Sequence, residues 1–290
     1  MTDLEHVVAS QNEIGEGPLW NIEEQALYWV DIPQCRFHRL FIASGKYETF
    51  AVGLPVGALG FRAARGLVMA TRDGFALWDF DRQTPKFITD PEADLPDNRF
   101  NDGAVDRQGR FWAGTMSNQE SEPLGSLYRL DPSGAVQRME TGITVSNGIG
   151  WSPDNKTMYY TDSPRRVIYA YDFDPVSGGI DNRRIFVRIP DDAGFPDGLA
   201  VDSEGFIWSA HWDGWKISRY DPTGKVEREI KMPVQRPTSC AFGGPNLDEL
   251  YITSAWTGLD KAARQKQPWA GDLFRLKVEV RGLPTPKFLG

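Results

Sequence analysis

A short aromatic-rich strand recurs along the chain at nearly constant distance, and no other feature constrains the fold as strongly. Gln25–Asp31, Gly66–Thr71, Gly109–Gly114, Thr157–Asp162, Gly205–Ala210 and Leu250–Ala255 follow one pattern. Taking Trp29, Met69, Trp112, Tyr160, Trp208 and Ile252 as equivalent, the spacings are 40, 43, 48, 48 and 44 residues. Six units of that period fill the 290 residues. A third segment per unit ends in an Asp-Pro turn, at Asp131-Pro132, Asp174-Pro175 and Asp221-Pro222, and reads as half of a hairpin. A four-stranded unit at this period is a propeller blade. The composition agrees, since 29 Gly and 20 Pro punctuate segments carrying 10 Trp, 9 Tyr and 16 Phe. No amphipathic helix of useful length interrupts the series. The expectation is an all-β, six-bladed β-propeller formed as a single domain over residues 1–290. A sandwich or barrel also uses short strands, but neither requires six units in register. Trp78-Asp79 and Trp212-Asp213 sit at different phases of the repeat and lack a Gly-His partner, so they do not mark a Trp-Asp repeat protein.

In a propeller the innermost strands line a central channel, so residues at one phase of different blades converge near the axis. Ten to thirteen residues before each equivalent aromatic stand Glu16, Val56, Asp102 (after Asn101), Asn147, Asp197 and Ser239. Taken alone, Asp102-Gly103, Asn147-Gly148 and Asp197-Gly198 read as ordinary turn dipeptides, as Asp73-Gly74 and Asp213-Gly214 do. Convergence of four blades on one height changes that reading. Two carboxylates, Glu16 and Asp197, with the amide oxygens of Asn101 and Asn147, are costly in a dry channel unless a cation neutralises them. Hard oxygen donors without thiolates suit calcium, magnesium or manganese. His6, His38 and His211 are too scattered for a zinc triad and read as surface or packing residues. The end of each second strand returns to the same face, placing Asp31, Arg72, Asp73, Thr115, Glu120, Asp162, His211, Trp212 and Trp256 around the channel mouth. Polar groups and aromatics beside a cation suit a polyhydroxylated ligand.

Other chemistries lack their residues. The chain has no Gly-x-Ser-x-Gly elbow, phosphate loop, Gly-x-Gly-x-x-Gly or Cys-x-x-Cys. A net charge of −8 without a basic run argues against a nucleic-acid partner. No basic-then-apolar leader and no run of about 18 apolar residues is present, so neither secretion nor a membrane partner is expected. Cys35 and Cys240 carry no disulfide framework and are expected to be reduced thiols of a cytoplasmic protein.

Gly15-Glu16-Gly17-Pro18-Leu19-Trp20, Trp29-Val30-Asp31-Ile32, Arg99-Phe100-Asn101-Asp102-Gly103, Gly114-Thr115-Met116, Ser146-Asn147-Gly148, Pro196-Asp197-Gly198 and Cys240-Ala-Phe-Gly-Gly244 together resemble the regucalcin (senescence marker protein)/gluconolactonase family. The resemblance implies a six-bladed propeller with one divalent metal in the channel that hydrolyses sugar lactones to aldonic acids. It implies metal ligation by Glu16, Asn147 and Asp197, with Asn101 bound to metal or substrate and Arg99 on substrate oxygens. A family glutamate that touches substrate corresponds to Glu120 or to Gln119. Calcium is the first expectation for the metal; zinc, magnesium, manganese and ferrous iron also occupy such sites. The metal would act as a Lewis acid on the lactone carbonyl, with Asp197 or the metal activating water as catalytic base. Two alternatives stay open, a calcium-dependent organophosphatase or arylesterase and a non-enzymatic calcium-binding propeller.

Overall fold

The computed structural model describes residues 4–290. Six four-stranded antiparallel sheets follow one another around a central axis as the blades of a β-propeller. Their innermost strands are Gly15–Asn21, Val56–Phe61, Asn98–Val105, Ser146–Trp151, Phe195–Val201 and Pro237–Gly243. In the first five blades the four strands run consecutively from axis to rim. The sixth takes its outermost strand, Leu4–Val8, from the start of the chain and pairs it with Leu273–Lys277. This pairing fastens the start of the chain to the last blade and so closes the ring.

The equivalent residues Trp29, Met69, Trp112, Tyr160, Trp208 and Ile252 all lie in second strands and are fully buried between blades. Large side chains at one phase fill the wedge between neighbouring sheets, and the indole N–H groups of the three tryptophans among them find partners. Trp112 Nε1 donates to Asp106 at 2.9 Å and Trp208 Nε1 to Asp202 at 3.0 Å. Each of those carboxylates also pairs with an arginine, Arg110 or Arg219, so the burial costs no unpaired charge. The Asp-Pro segments are the expected hairpin turns between third and fourth strands.

The Asx-Gly dipeptides are not turns. Asp102-Gly103, Asn147-Gly148 and Asp197-Gly198 lie inside innermost strands, each at a β-bulge where the register to the second strand slips. Bulges recur at Glu16-Gly17 and Val56-Gly57, so five blades carry glycine directly after the ring position. The bulge bends the strand and re-aims the preceding side chain toward the axis. At Gly57 the reason for glycine is close approach, since a Cβ there would lie 2.2 Å from the Asn101 carbonyl oxygen of the next blade. Asp73-Gly74 and Asp213-Gly214 are the turns that they read as.

The only helix among the described residues, Lys261–Lys266, lies in the loop of the sixth blade and is capped by Asp260. None of its residues is buried, and no helix is long and apolar enough to cross a membrane. Cys35 and Cys240 are unpaired. Beyond the last strand, Phe288 packs into the core and the adjoining segment Leu283–Pro286 roofs the lower end of the channel.

Candidate functional site

The channel holds two cavities, one at each end. The upper one, about 330 Å³, lies where the innermost strands begin and is lined by Glu16, Arg99, Asn101, Glu120, Asn147, Ser163 and Asp197. Ile14, Ile32, Met116, Val145, Pro164, Phe195 and Trp212 complete its wall. The lower one is narrower, about 190 Å³, and is mostly apolar, with Asp102 and Ser239 on its wall. The bulge in the third blade therefore separates neighbours: Asn101 faces the upper cavity and Asp102 the lower.

Glu16, Asp102 and Asp197 are buried, and each accepts a hydrogen bond from the N–H of the glycine that follows it. Elsewhere most buried carboxylates have cationic partners, as Asp31 has Arg36 and Asp202 has Arg219, and Glu92 is held instead by Asn98, Thr115 and Tyr128. Among the described residues these three have no ion-pair partner. Burial raises the pKa of Glu16 well above the usual carboxylate range, and the charges of Asp197 and Asp102 add to it. Asp197 is raised likewise by burial and by Asp102, and the carboxyl groups of Glu16 and Asp197 hydrogen-bond each other. Burial pushes Asp102 up to about 6. Like charges held together in a dry channel strain toward protonation or toward a cation.

The donors on the same wall form an ordered chain. Arg99 Nη1 donates to Asn101 Oδ1 at 2.6 Å, and Asn101 Nδ2 donates to Asn147 Oδ1 at 3.0 Å. Arg99 is itself held below its ordinary pKa by burial, against the opposing charges of Glu120 and Glu16. The backbone at Glu120 has φ +55°, in the left-handed region, and its carboxylate lines the upper cavity, whereas Gln119 does not. No three His, Cys, Asp or Glu side chains among the described residues gather tightly enough to hold an ion on their own. The amide of Asn147 lines the same cavity as Glu16 and Asp197.

The profile of the SMP-30/Gluconolactonase/LRE-like region matches residues 14–256. The chain belongs to the SMP-30/gluconolactonase family. This family member is 37% identical to regucalcin of Xenopus laevis, over 99% of this chain and 98% of that protein. It is 38% identical to 6-deoxy-6-sulfogluconolactonase of Pseudomonas putida, over 99% of each chain. A solved structure described as a calcium-binding protein, regucalcin, from Agrobacterium tumefaciens superposes with a TM-score of 0.95 at 30% identity, covering 99% of this chain and 97% of that one.

All six residues expected at the site of this SMP-30/gluconolactonase chain, Glu16, Arg99, Asn101, Glu120, Asn147 and Asp197, line one cavity. The expected rim is different. Asp31, Thr115, Asp162 and His211 are buried rather than at the mouth. Asp31 and Asp162 accept backbone N–H groups of Ile14 and of Thr144 and Val145, holding the segments that enter the innermost strand of their own blade. Arg72 and Asp73 line a separate cavity beside Arg99, and Trp256 lines none of these cavities. Of the expected rim only Glu120 and Trp212 reach the upper cavity. Ser163 and Phe195 are wall residues that sequence reading missed. Phe195 pairs across strands with Trp212, a signal that needs the register to be known.

Proposed function

We propose that the protein hydrolyses sugar lactones to aldonic acids at the upper cavity, with one divalent cation held by Glu16, Asn147 and Asp197. The observation that carries this reading is the pair of buried carboxyl groups without ion-pair partners, Glu16 and Asp197, opening onto a cavity that also holds Arg99, Asn147 and Glu120. Hard oxygen donors fit calcium first, and magnesium, manganese, zinc or ferrous iron after it. The names of the family relatives, a gluconolactonase profile and a sulfogluconolactonase, support the same reaction class. The unpaired thiols of Cys35 and Cys240 suit a reducing, cytoplasmic setting.

The chain's own groups divide the work. Arg99 spends Nη1 on the Phe100 carbonyl and on Asn101 Oδ1, which leaves its remaining N–H groups for ring and hydroxyl oxygens of the substrate. Asn101 steadies Arg99, and Glu120 accepts from a sugar hydroxyl. The apolar wall of Phe195, Trp212, Met116 and Val145 covers the C–H faces of the ring and excludes bulk water. Asp197 takes a proton from the attacking water as its oxygen bonds to the lactone carbon; the ring C–O bond then breaks and the leaving oxygen receives that proton. A cation held by Glu16, Asn147 and Asp197 would supply positive charge to the carbonyl oxygen as it becomes negative.

The test is to strip the protein with chelator, restore each cation singly, and measure acid release from five- and six-carbon aldonolactones beside a phosphotriester. Loss of turnover on chelation and recovery with one or more cations is the expected result. Faster phosphotriester turnover would make the protein an organophosphatase, and cation uptake without hydrolysis of any substrate would make it a binding protein.

A further inference from the structure

Ser163 stands in a hydrogen-bond chain whose polarity is fixed at both ends. Its Oγ donates to the carbonyl of Pro196 at 2.6 Å and accepts from Asn147 Nδ2 at 2.8 Å. A carbonyl only accepts, so the single hydroxyl hydrogen of Ser163 is committed to Pro196. What remains toward Asn147 is a lone pair, which requires the NH2 end of the amide. The other end of the chain agrees. Arg99 only donates, so Asn101 must turn Oδ1 toward it, and Asn101 Nδ2 then donates both to the Ser146 carbonyl at 2.7 Å and to Asn147 Oδ1.

We propose that Ser163 is a positioning residue for cation binding, acting through Asn147. By holding the NH2 end of that amide away from the axis it keeps Oδ1 turned inward, with one lone pair taken by Asn101 and one left for the cation. A flipped amide would present two N–H donors to the same place and repel a cation. Ser163 also ties the fourth blade to the fifth directly before Asp197, so two oxygen donors are set relative to each other by one hydroxyl. Its backbone is independently fixed, with its N–H on the Val145 carbonyl and its C=O receiving Arg166 N–H, so removal of the hydroxyl leaves the turn in place. Outer partners that orient a ligand typically change metal affinity by 10- to 100-fold when removed. The inference rests on the cation site proposed above.

The test is a double-mutant cycle read as cation affinity by chelator competition and as the cation-induced rise in Tm. Ser163→Ala is expected to weaken cation binding by at least tenfold and to shrink the Tm rise. In the Asn147→Asp background the same change is expected to cost nothing, because a carboxylate has no donor end to misplace. Equal losses in both backgrounds, or no loss in either, would overturn the proposal. So would a change confined to KM at saturating cation, which would make Ser163 a substrate contact. Wild-type protein that takes up no cation would overturn the cation site itself, and is read from the parent alone before any variant.

Discussion

Arg99 and Asn101, two positions apart on the innermost strand of the third blade, are joined side chain to side chain by an Nη1 to Oδ1 hydrogen bond of 2.6 Å. The link makes Arg99 part of the wall rather than a freely moving arm, and it lets substrate binding and cation binding be separated. Arg99→Met removes a guanidinium whose charge opposes a cation near Glu16 while deleting donors to the substrate. The expected result is a fall in kcat/KM of about a hundredfold, about 2.7 kcal/mol of lost transition-state stabilisation. Cation affinity, measured by chelator competition on the same preparation, is expected to stay equal or improve.

Asp102 lies below the proposed cation, on the wall of the lower cavity, and its charge acts on both Glu16 and Asp197. Asp102→Asn keeps an acceptor for Gly103 N–H, bonded at 2.7 Å, and removes one of three mutually repelling charges. In excess chelator the variant is expected to be more stable than wild type by about 1 kcal/mol, a few degrees in Tm. With saturating cation the order reverses, because wild type gains more from binding; at a hundred times Kd that gain is about 2.7 kcal/mol. Thermal melts of both proteins with and without cation decide it, and a variant less stable than wild type in both conditions would refute the repulsion argument.

The blades were legible because strand, turn and aromatic recur at one period, and the site because channel geometry brings one phase of each innermost strand together. What was illegible is physically informative. Asx-Gly has the same local chemistry in a turn and in a bulge, so Asp102-Gly103 and Asn147-Gly148 declare themselves only when the second strand is seen to slip past them. A carboxylate at a strand end looks alike whether hydrated or capping a loop, which hid the buried role of Asp31 and Asp162. Glu120 and Gln119 differ by one position, and only the left-handed backbone at Glu120 separates them. The pairing of Leu4–Val8 with Leu273–Lys277 spans the whole chain and leaves no local mark.

Gly57 is a direct test of the bulge ring. Its φ is not in the left-handed region, so the cost of a side chain comes from approach alone: a Cβ would sit 2.2 Å from Asn101 O and 2.8 Å from Phe100 O. Both obstacles are backbone and cannot swing aside. Gly57→Ala is expected to lower stability by about 3 kcal/mol in urea titration. It should also push Asn101 off its register, so hydrolysis falls further than the loss of folded protein explains. A variant with wild-type midpoint and turnover would show that the blades tolerate wider spacing at the axis.

His211, expected at the rim, is buried with Nδ1 at the Ala193 carbonyl, 2.8 Å, and Nε2 at the Tyr220 hydroxyl, 3.1 Å. Burial lowers its pKa to about 4, against about 6.5 in an unfolded chain. Above pH 6.5 both states are neutral and the group contributes no pH dependence. Between pH 6.5 and 4 the unfolded chain binds a proton that the folded protein refuses, so stability falls as pH falls, by about 3 kcal/mol over the full interval. Glu16 and Asp197, whose pKa values are raised in the fold, act with the opposite sign when no cation is bound, so the measurement must be a difference between proteins. His211→Gln removes the titrating group and keeps a side chain able to hydrogen-bond. Urea midpoints at pH 7 and pH 5 in chelator are expected to fall less for the variant than for wild type, by about 2 kcal/mol. Identical pH dependence in the two proteins would mean that His211 takes up its proton within the fold, with the Ala193 carbonyl holding the imidazolium.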